Sequence, residues 1–502
     1  MKNLSYLACL LLTFLSVSIN AQDTHFEVIE SEKYNDQFKS TEVLSIHTNN
    51  ENVTLVTRKS GNNLVFESFD ENAKGLKIKT QPLSRKEGFV ADLFYDNKLQ
   101  IFTLESPSKT ERIVYCYTYS LQGDKIEKTT LISTTVERKG KLFSGENKRQ
   151  TNFAISPNNK FIAIATDNVK KNSNSYNIHL FDSETLSLIY TKSYYSNPDQ
   201  FYTSSDMVVD NDGVIFNIGK EYAKGRRERK NDKANYSYVL CKIDETTVNF
   251  GTIELTEDEY IQNLNMSFYQ DKLRLIGYYS QDKVFGIKGV SDFKVDKNTL
   301  TVSNKKKEEL PLTVFEDLYG YRKAGNKKNS ELTSFDLDYI LEDDEGNTFL
   351  IAEEFYITQT YVSTGMNGGG YMMTTYHYDD ILITKLDANG KLVWGRSIFK
   401  RSNMPSYNAF LNNNKVHIVL NSGKNLLEKN DGRLKVSKGF LESTALYVFL
   451  YDKDGNVVHE KIQDNKGKTK YIPFKGNYND GKFLMYNHSA NKKQVMMLEC
   501  KD

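Results

Sequence analysis

The chain has 502 residues, 39% of them hydrophobic and 26% charged, and its 66 Lys and Arg against 65 Asp and Glu leave a net charge of +1. That is too apolar for a disordered chain, too long for a disulfide-stapled miniprotein, and too balanced for a wholly basic nucleic-acid binder or an acidic tail protein. With 32 Tyr and 28 Phe against 7 Pro, the composition leans towards sheet.

Residues 1–21 read as a secretory signal peptide: Lys2 gives the positive start, Leu4 to Ile19 is mostly apolar, and Ala21 offers a small residue for cleavage. The run is shorter than the ~20 residues a membrane span needs, and polar sequence follows at once. No later segment is apolar enough to span. Cleavage near Ala21 predicts a periplasmic or extracellular protein. It removes Lys2 and leaves a net charge of zero. Cys116, Cys241 and Cys500 remain; an odd, widely spaced set is no disulfide framework. Cys116 and Cys241 read as small apolar strand residues.

From residue 22 onward, short β-branched and aromatic runs alternate with turn signals. Hairpins turn at Asn49-Asn50, Asp96-Asn97, Pro157-Asn158-Asn159, Asn211-Asp212-Gly213, Gln270-Asp271, Asp344-Glu345-Gly346, Asn412-Asn413-Asn414 and Asn479-Asp480-Gly481. All but the last are followed by a second hairpin, clearest at Asp387-Ala388-Asn389-Gly390 and Asp452-Lys453-Asp454-Gly455, with weaker cousins near Asp70, Gly123, Asp182, Asp244 and Asp296. Asn, Asp and Gly tolerate the left-handed backbone that tight turns require. The unit is therefore a four-stranded antiparallel sheet of about sixty residues, repeated about eight times. The last unit supplies three strands, and His25 to Ile29 reads as one unpaired strand. The expected fold is all-β: residues 22–502 form a single β-propeller domain of about eight four-stranded blades, closed by the N-terminal strand. Seven blades is the near alternative; two packed β-sandwiches or an irregular β-solenoid are the other rivals.

The Asn-Ala-Gln signal end and the hairpin Thr384-Lys385-Leu386-Asp387-Ala388-Asn389-Gly390-Lys391-Leu392-Val393-Trp394 resemble secreted β-propeller proteins of Gram-negative bacteria, most of which have no assigned activity. The recurrent Trp-Asp of WD40 repeats is missing. The Asp-Ala-Asn-Gly-Lys-Leu-Val-Trp stretch is similar to a docking motif of quinone-dependent dehydrogenase propellers, but it occurs once, and the resemblance implies no cofactor.

No catalytic motif is legible. There is no Gly-rich phosphate loop, no Gly-x-Ser-x-Gly elbow, no Cys-x-x-Cys and no two-His metal spacing among the seven histidines. The Asp-rich turns at Asp210, Asp343 and Asp452 offer too few oxygens for calcium, and the turns themselves demand Asp and Gly. No metal or cofactor is expected.

In a propeller, the turns between strands 1 and 2 and strands 3 and 4 lie on one face. The loops between strands 2 and 3 and the links between blades lie on the other. Here the second class holds the long segments, and four of them are basic. Residues 137–149, which include Arg138 and Lys139, carry +3; residues 220–233, with Arg226, Arg227, Arg229 and Lys230, carry +4; residues 322–331, with Arg322 and Lys323, carry +3; residues 424–438 carry +3. Each could be solvated surface; together they predict positive potential on one face. Residues 356–380 differ: they hold five Tyr, three Met and no Lys or Arg. They read as an extended hairpin with a Gly-rich tip and an adaptable contact surface, with Tyr376, His377, Tyr378 and Asp379 as candidate binding residues.

The expected function is a secreted, non-catalytic binding or scaffold propeller that contacts an acidic polysaccharide or acidic protein, with nucleic acid disfavoured in that compartment. The alternatives are a lyase or glycoside hydrolase with its acids in the central channel, and a structural part of a cell-envelope assembly.

Overall fold

The computed structural model describes residues 25–121, 123–136, 151–170, 173–195, 200–256, 259–262, 264–269, 272–282, 284–363, 370–438, 441–489 and 491–501. Eight antiparallel blades follow in chain order: 43–82, 87–135, 151–195, 201–253, 260–309, 335–398, 407–464, and a last blade of 477–500 completed by Phe26–Glu30. The chain is an eight-bladed β-propeller, closed as its sequence predicts. Phe26–Glu30 is the fourth strand of blade 8 and pairs with Met496–Cys500. The first strand of blade 5 is split into Tyr260–Ile261 and Asn265–Tyr269.

In blades 1 to 7 sequence order is spatial order, and in blade 8 the N-terminal strand Phe26–Glu30 takes the fourth place. The fourth strands are the outer ones; Gly75–Pro82 is almost wholly exposed. The first strands ring the axis and are tied to one another by side chains. Asn477 and Asn479 donate to the Leu44 and Ile46 carbonyls at 2.9 Å, and His47 bonds to Asp92. Asn152 donates to Ser204 at 3.1 Å, and Asp206 accepts the Met266 N–H at 2.7 Å. Ser267 donates to Glu342, Tyr407 to Asp338, and Tyr478 to Asn412. An innermost strand has no neighbour on its axial edge, so these bonds join blade to blade where backbone pairing cannot.

The Asp-rich turns are explained by turn chemistry. The first carboxyl oxygen of Asp210, Asp343, Asp387 and Asp452 accepts the backbone N–H groups two and four residues on, at 2.8–3.0 Å. Gly455 is required twice over: its φ is +82°, and an added Cβ would lie 2.8 Å from the Trp394 ring of the preceding blade. Trp394 also donates its indole N–H to Lys453 O, so the single Trp docks blade 6 onto blade 7.

Two short helices depart from the all-strand expectation. The link between blades 5 and 6 forms α1 (Leu312–Tyr319) and α2 (Tyr321–Lys328). Val314, Phe315 and Leu318 of α1 are buried, and Val314 packs on Gly395 of the outer strand of blade 6. The three-to-four-residue spacing is legible, but the segment is too short to stand out beside strands.

The ring closes around Arg58, which is wholly buried. Its Nε and Nη2 bond to Glu67 at 2.8 and 2.6 Å, and its Nη1 to Asp36 at 2.9 Å and Ser40 O at 2.6 Å. Its guanidinium lies 4.6 Å from the centre of the Tyr486 ring. Asp36 belongs to the N-terminal link, Arg58 and Glu67 to blade 1, and Tyr486 to blade 8. Removing residues 24–36 should therefore lower the cooperative melt of the whole protein, and Asp36→Ala alone should cost about 3 kcal/mol in chemical denaturation. A truncated protein melting within a degree or two of the intact one would show that closure lies elsewhere.

Candidate functional site

The strand directions put the long segments on one end of the propeller, as the two loop classes require. On blade 4 the segment between strands 2 and 3 forms a small hairpin, Arg229–Lys230 against Lys233–Ala234. Its turn residues Asn231 and Asp232 have φ of 51° and 60°, the type that tight hairpins use. The hairpin is built in. Asn235 donates to the Lys224 and Arg227 carbonyls at 2.7 and 2.8 Å, and Tyr260 to Asp232 O at 2.7 Å. Lys220 is not on the exposed surface: it is buried beside Glu228 at 2.7 Å and over the Tyr236 ring. Arg226 lies 4.3 Å from the centre of the Phe201 ring. Arg229 pairs with Asp232 at 2.8 Å. Arg226, Arg227, Arg229 and Lys230 are all exposed.

Arg322 and Lys323 are exposed on the first turn of α2, so the segment expected as a basic loop is helical. α2 is pinned to the segment between strands 2 and 3 of blade 7 by Tyr321 N–H to Asp431 O at 3.0 Å and by Tyr321 Oη to Asn430 O at 3.1 Å. Two of the basic segments are thereby joined, while the Arg226 group stands apart on blade 4. Arg138 and Lys139 lie outside the described residues.

The long hairpin of blade 6 runs Thr348–Ser363 against Gly370–Leu386. Its tip, 364–369, is outside the described residues. Tyr376 is exposed, His377 stacks on Tyr356 with ring centres 4.4 Å apart, and Tyr378 packs on Phe355. Asp379 lies at the root of the hairpin, in a charged cluster with Glu354, Asp380 and Arg401. The ladder shifts register here, Glu353 facing Ile381 and Phe355 facing Tyr378, so Glu354 opposes both Asp379 and Asp380. Arg401 bonds to Asp379 at 2.9 Å and Asp380 at 3.1 Å, and lies 3.7 Å from Glu354. Beside it, buried Lys400 bonds to buried Glu353 at 2.5 Å. Burial pushes the Glu354 carboxyl up to about 7, with Asp380 adding to the rise and Arg401 opposing it. Burial likewise pushes Asp380 up to about 6 against the pull of Arg401. The signal that could have revealed the cluster is three charged doublets, Glu353-Glu354, Asp379-Asp380 and Lys400-Arg401, each beside an apolar run (Phe349–Ala352, Ile381–Ile383 and Ile398-Phe399).

The axis has the opposite sign to the rim. The first strands carry Glu87, Asp92, Asp206, Asp336, Asp338 and Glu342, and no Lys or Arg. Asp336 and Asp338 are reached by water yet ringed by protein, and desolvation raises both carboxyls. Among the described residues no three His, Cys, Asp or Glu are arranged to hold a metal ion, and no helix is long and apolar enough to cross a membrane.

No family model matches the sequence, and no curated protein matches it. Among solved structures the chain is similar to the β-propeller domain of the Trilobed protease from Pyrococcus furiosus, at 12% identity and a TM-score of 0.36 over 83% of this chain and 98% of that one. It is also similar to prolyl oligopeptidase B from Galerina marginata, at 8% identity and 0.41 over 90% and 57%. A third is a catalytically inactive virginiamycin B lyase from Staphylococcus aureus, at 8% identity and 0.33 over 94% and 99%. The chain thus spans just over half the length of the Galerina oligopeptidase.

A carboxyl whose pKa is raised on folding stabilises the native state at pH below its unfolded value, and that contribution is lost as pH rises through the folded value. Glu354 therefore costs stability between about pH 5 and 8. Glu354→Gln should raise stability by about 1–3 kcal/mol at pH 8 and leave it nearly unchanged at pH 5. Equal effects at the two pH values would mean that the carboxyl is not desolvated.

Proposed function

We propose that the protein is a secreted, non-catalytic binding or scaffold propeller whose loop-rich face engages an anionic glycan or an acidic protein. The observation that carries this reading is the separation of charge. Arg226, Arg227, Arg229, Lys230, Arg322 and Lys323 are exposed on loop-rich segments, while the first strands around the axis carry acids alone. An anion is then drawn to the rim and repelled from the axis. The ordered hairpin of blade 4 adds to the case, since guanidinium groups held in place lose little freedom on binding. The signal-like segment at residues 1–21 supports a periplasmic or extracellular setting.

A lyase or glycoside hydrolase is the second reading, favoured by two observations: the raised carboxyls of Asp336 and Asp338 on the axial strand of blade 6, and those of Glu354 and Asp380 beneath the long hairpin. At the hairpin the neighbours argue against proton transfer. Both Asp380 oxygens are engaged, one by the Lys400 N–H at 3.0 Å and one by Arg401. Asp379 accepts from Tyr356 at 2.8 Å as well as from Arg401. A role in an envelope assembly is compatible with the binding reading and differs from it only in the partner.

Changing Arg226, Arg227 and Arg229 together to Ser should weaken retention on an immobilised acidic polysaccharide by tenfold or more, by order of magnitude, with little change in the melting temperature. Raising salt to about one molar should release the unmodified protein, because exposed charges are then screened within about 3 Å. Retention unaffected by both would leave these residues as solvated surface. Depolymerisation of the polysaccharide that Glu354→Gln abolishes would establish the enzymatic reading instead.

A further inference from the structure

We propose that the projecting part of the blade 6 hairpin is an arm through which two copies of this chain associate. The proposal goes beyond the binding reading and does not depend on it. Beyond Glu354 and Ile381 the two strands have no other strand beside them among the described residues. The first strand of the blade pairs no further than Phe335 with Glu354, and the fourth no further than Ile398 with Ile381. Past the bonds of Phe355 N–H to Ser334 O and Tyr378 N–H to Ser402 O, Tyr356–Ser363 and Gly370–His377 pair, among the described residues, only with each other. At about 3.3 Å per residue the arm extends roughly 25–30 Å. A two-stranded ribbon of this kind is at best marginally stable in water by itself.

The two faces of the arm differ. On one, Tyr356 stacks on His377, and His377 bonds to Thr358 at 2.9 Å. The other carries Ile357 across from Tyr376, then Gln359 across from Thr374, and Met372 further out; Ile357, Tyr376 and Met372 are 50%, 50% and 56% exposed. Exposed strand edges are usually guarded by Lys, Pro or inward-pointing charge. Residues 356–378 contain no Lys, Arg, Asp, Glu or Pro. At the chain's 26% charged residues, 23 positions would hold about six.

That neutrality selects the occupant. A charged partner finds no counter-charge on the arm, whereas a second arm meets no repulsion. Open edges and one apolar face are also self-complementary, as a two-fold contact requires: residue i of one copy meets residue j of the other, and j meets i. Two antiparallel arms that pair edge to edge would extend one another's ladders and set Ile357, Met372 and Tyr376 of the two copies side by side on one face.

Sedimentation equilibrium of the purified protein should show a reversible monomer–dimer equilibrium. Ile357→Lys combined with Met372→Lys places like charges on the apolar face of both arms and should raise the dimer dissociation constant by about tenfold or more, with an unchanged melt. A second variant, in which residues 358–375 are replaced by Asn-Gly, closes the ribbon with a tight turn and should abolish the dimer; it decides the matter should the first misfold. A protein that stays monomeric at about 100 μM, a range in which even weak specific contacts register, overturns the proposal, and so does a dimer that survives both changes. A monomer that binds phosphatidylcholine vesicles through the arm would assign the arm to a lipid surface instead.

Discussion

The Arg58 guanidinium is buried where the last blade meets the first, and the ring depends on it. A buried guanidinium is tolerable only when each donor group is met, and removing one partner leaves an uncompensated charge. Here the partners come from three places: Asp36 and Ser40 from the N-terminal link, Glu67 from blade 1, and Tyr486 from blade 8, which stacks on the cation and also donates to Glu67. None of the three alone satisfies Arg58. The group therefore reports whether the ring is shut, and couples the outer strand Phe26–Glu30 to the interior. Similar buried pairs recur at other junctions: Arg274 with Asp292 reaches Gly346 O and Thr348 of blade 6, and Lys400 with Glu353 lies beside Ser406 and Tyr407 of blade 7. Each ion pair lies within one blade and its link and is completed by an adjacent blade, which makes blade order hard to disturb.

Ring closure also fixes what each end can carry. Short turns on one end are set by local chemistry, with an Asp carboxylate gathering its own backbone N–H groups. On the other end the chain must either cross from an outer strand to the next inner one or join strands 2 and 3, and neither connection is bound to a tight turn. Long segments accumulate there because closing a longer loop adds little entropic cost. These segments also hold one another: α2 and the blade 7 segment share two bonds through Tyr321. The same geometry separates charge. The acids on the inner strands are tied to the neighbouring blade, as Asp92, Asp206, Asp338 and Glu342 are.

How much of this was legible in the sequence follows from range. Turn residues act within four positions, so the hairpins, the blade count and the missing strand of the last blade could all be read from Asn, Asp and Gly. The long hairpin was legible from strand-like alternation on both sides of its glycines. The closing triad was not, because Asp36, Arg58 and Glu67 are ordinary surface residues until the ring brings them together. The charged cluster of blade 6 was half legible: Asp379 stood out beside an aromatic run, but its partners Glu354 and Arg401 lie 25 and 22 positions away. Lys220 shows the reverse error. Counted with a basic run, it is buried with its ammonium over the Tyr236 ring, because it lies on the second strand of blade 4, nearly all of which is buried.

Blade 6 joins these arguments. Its second and third strands continue past the blade, and a continuing ladder needs a change of twist to leave the sheet. The register shift between Glu353 and Phe355 supplies it, as bulges do. A bulge leaves backbone and side chains without their regular neighbours, and here the unpaired positions are acids: Glu354, Asp379 and Asp380. Three carboxylates in one place would repel; Arg401 is set between them and opposes the rise that burial imposes on Glu354 and Asp380. Charge is thus concentrated at the root and absent from the arm. That division follows from the physics of each part: the root is fixed by ionic contacts within one chain, while the arm, neutral and open-edged, is left to find its partner strands elsewhere.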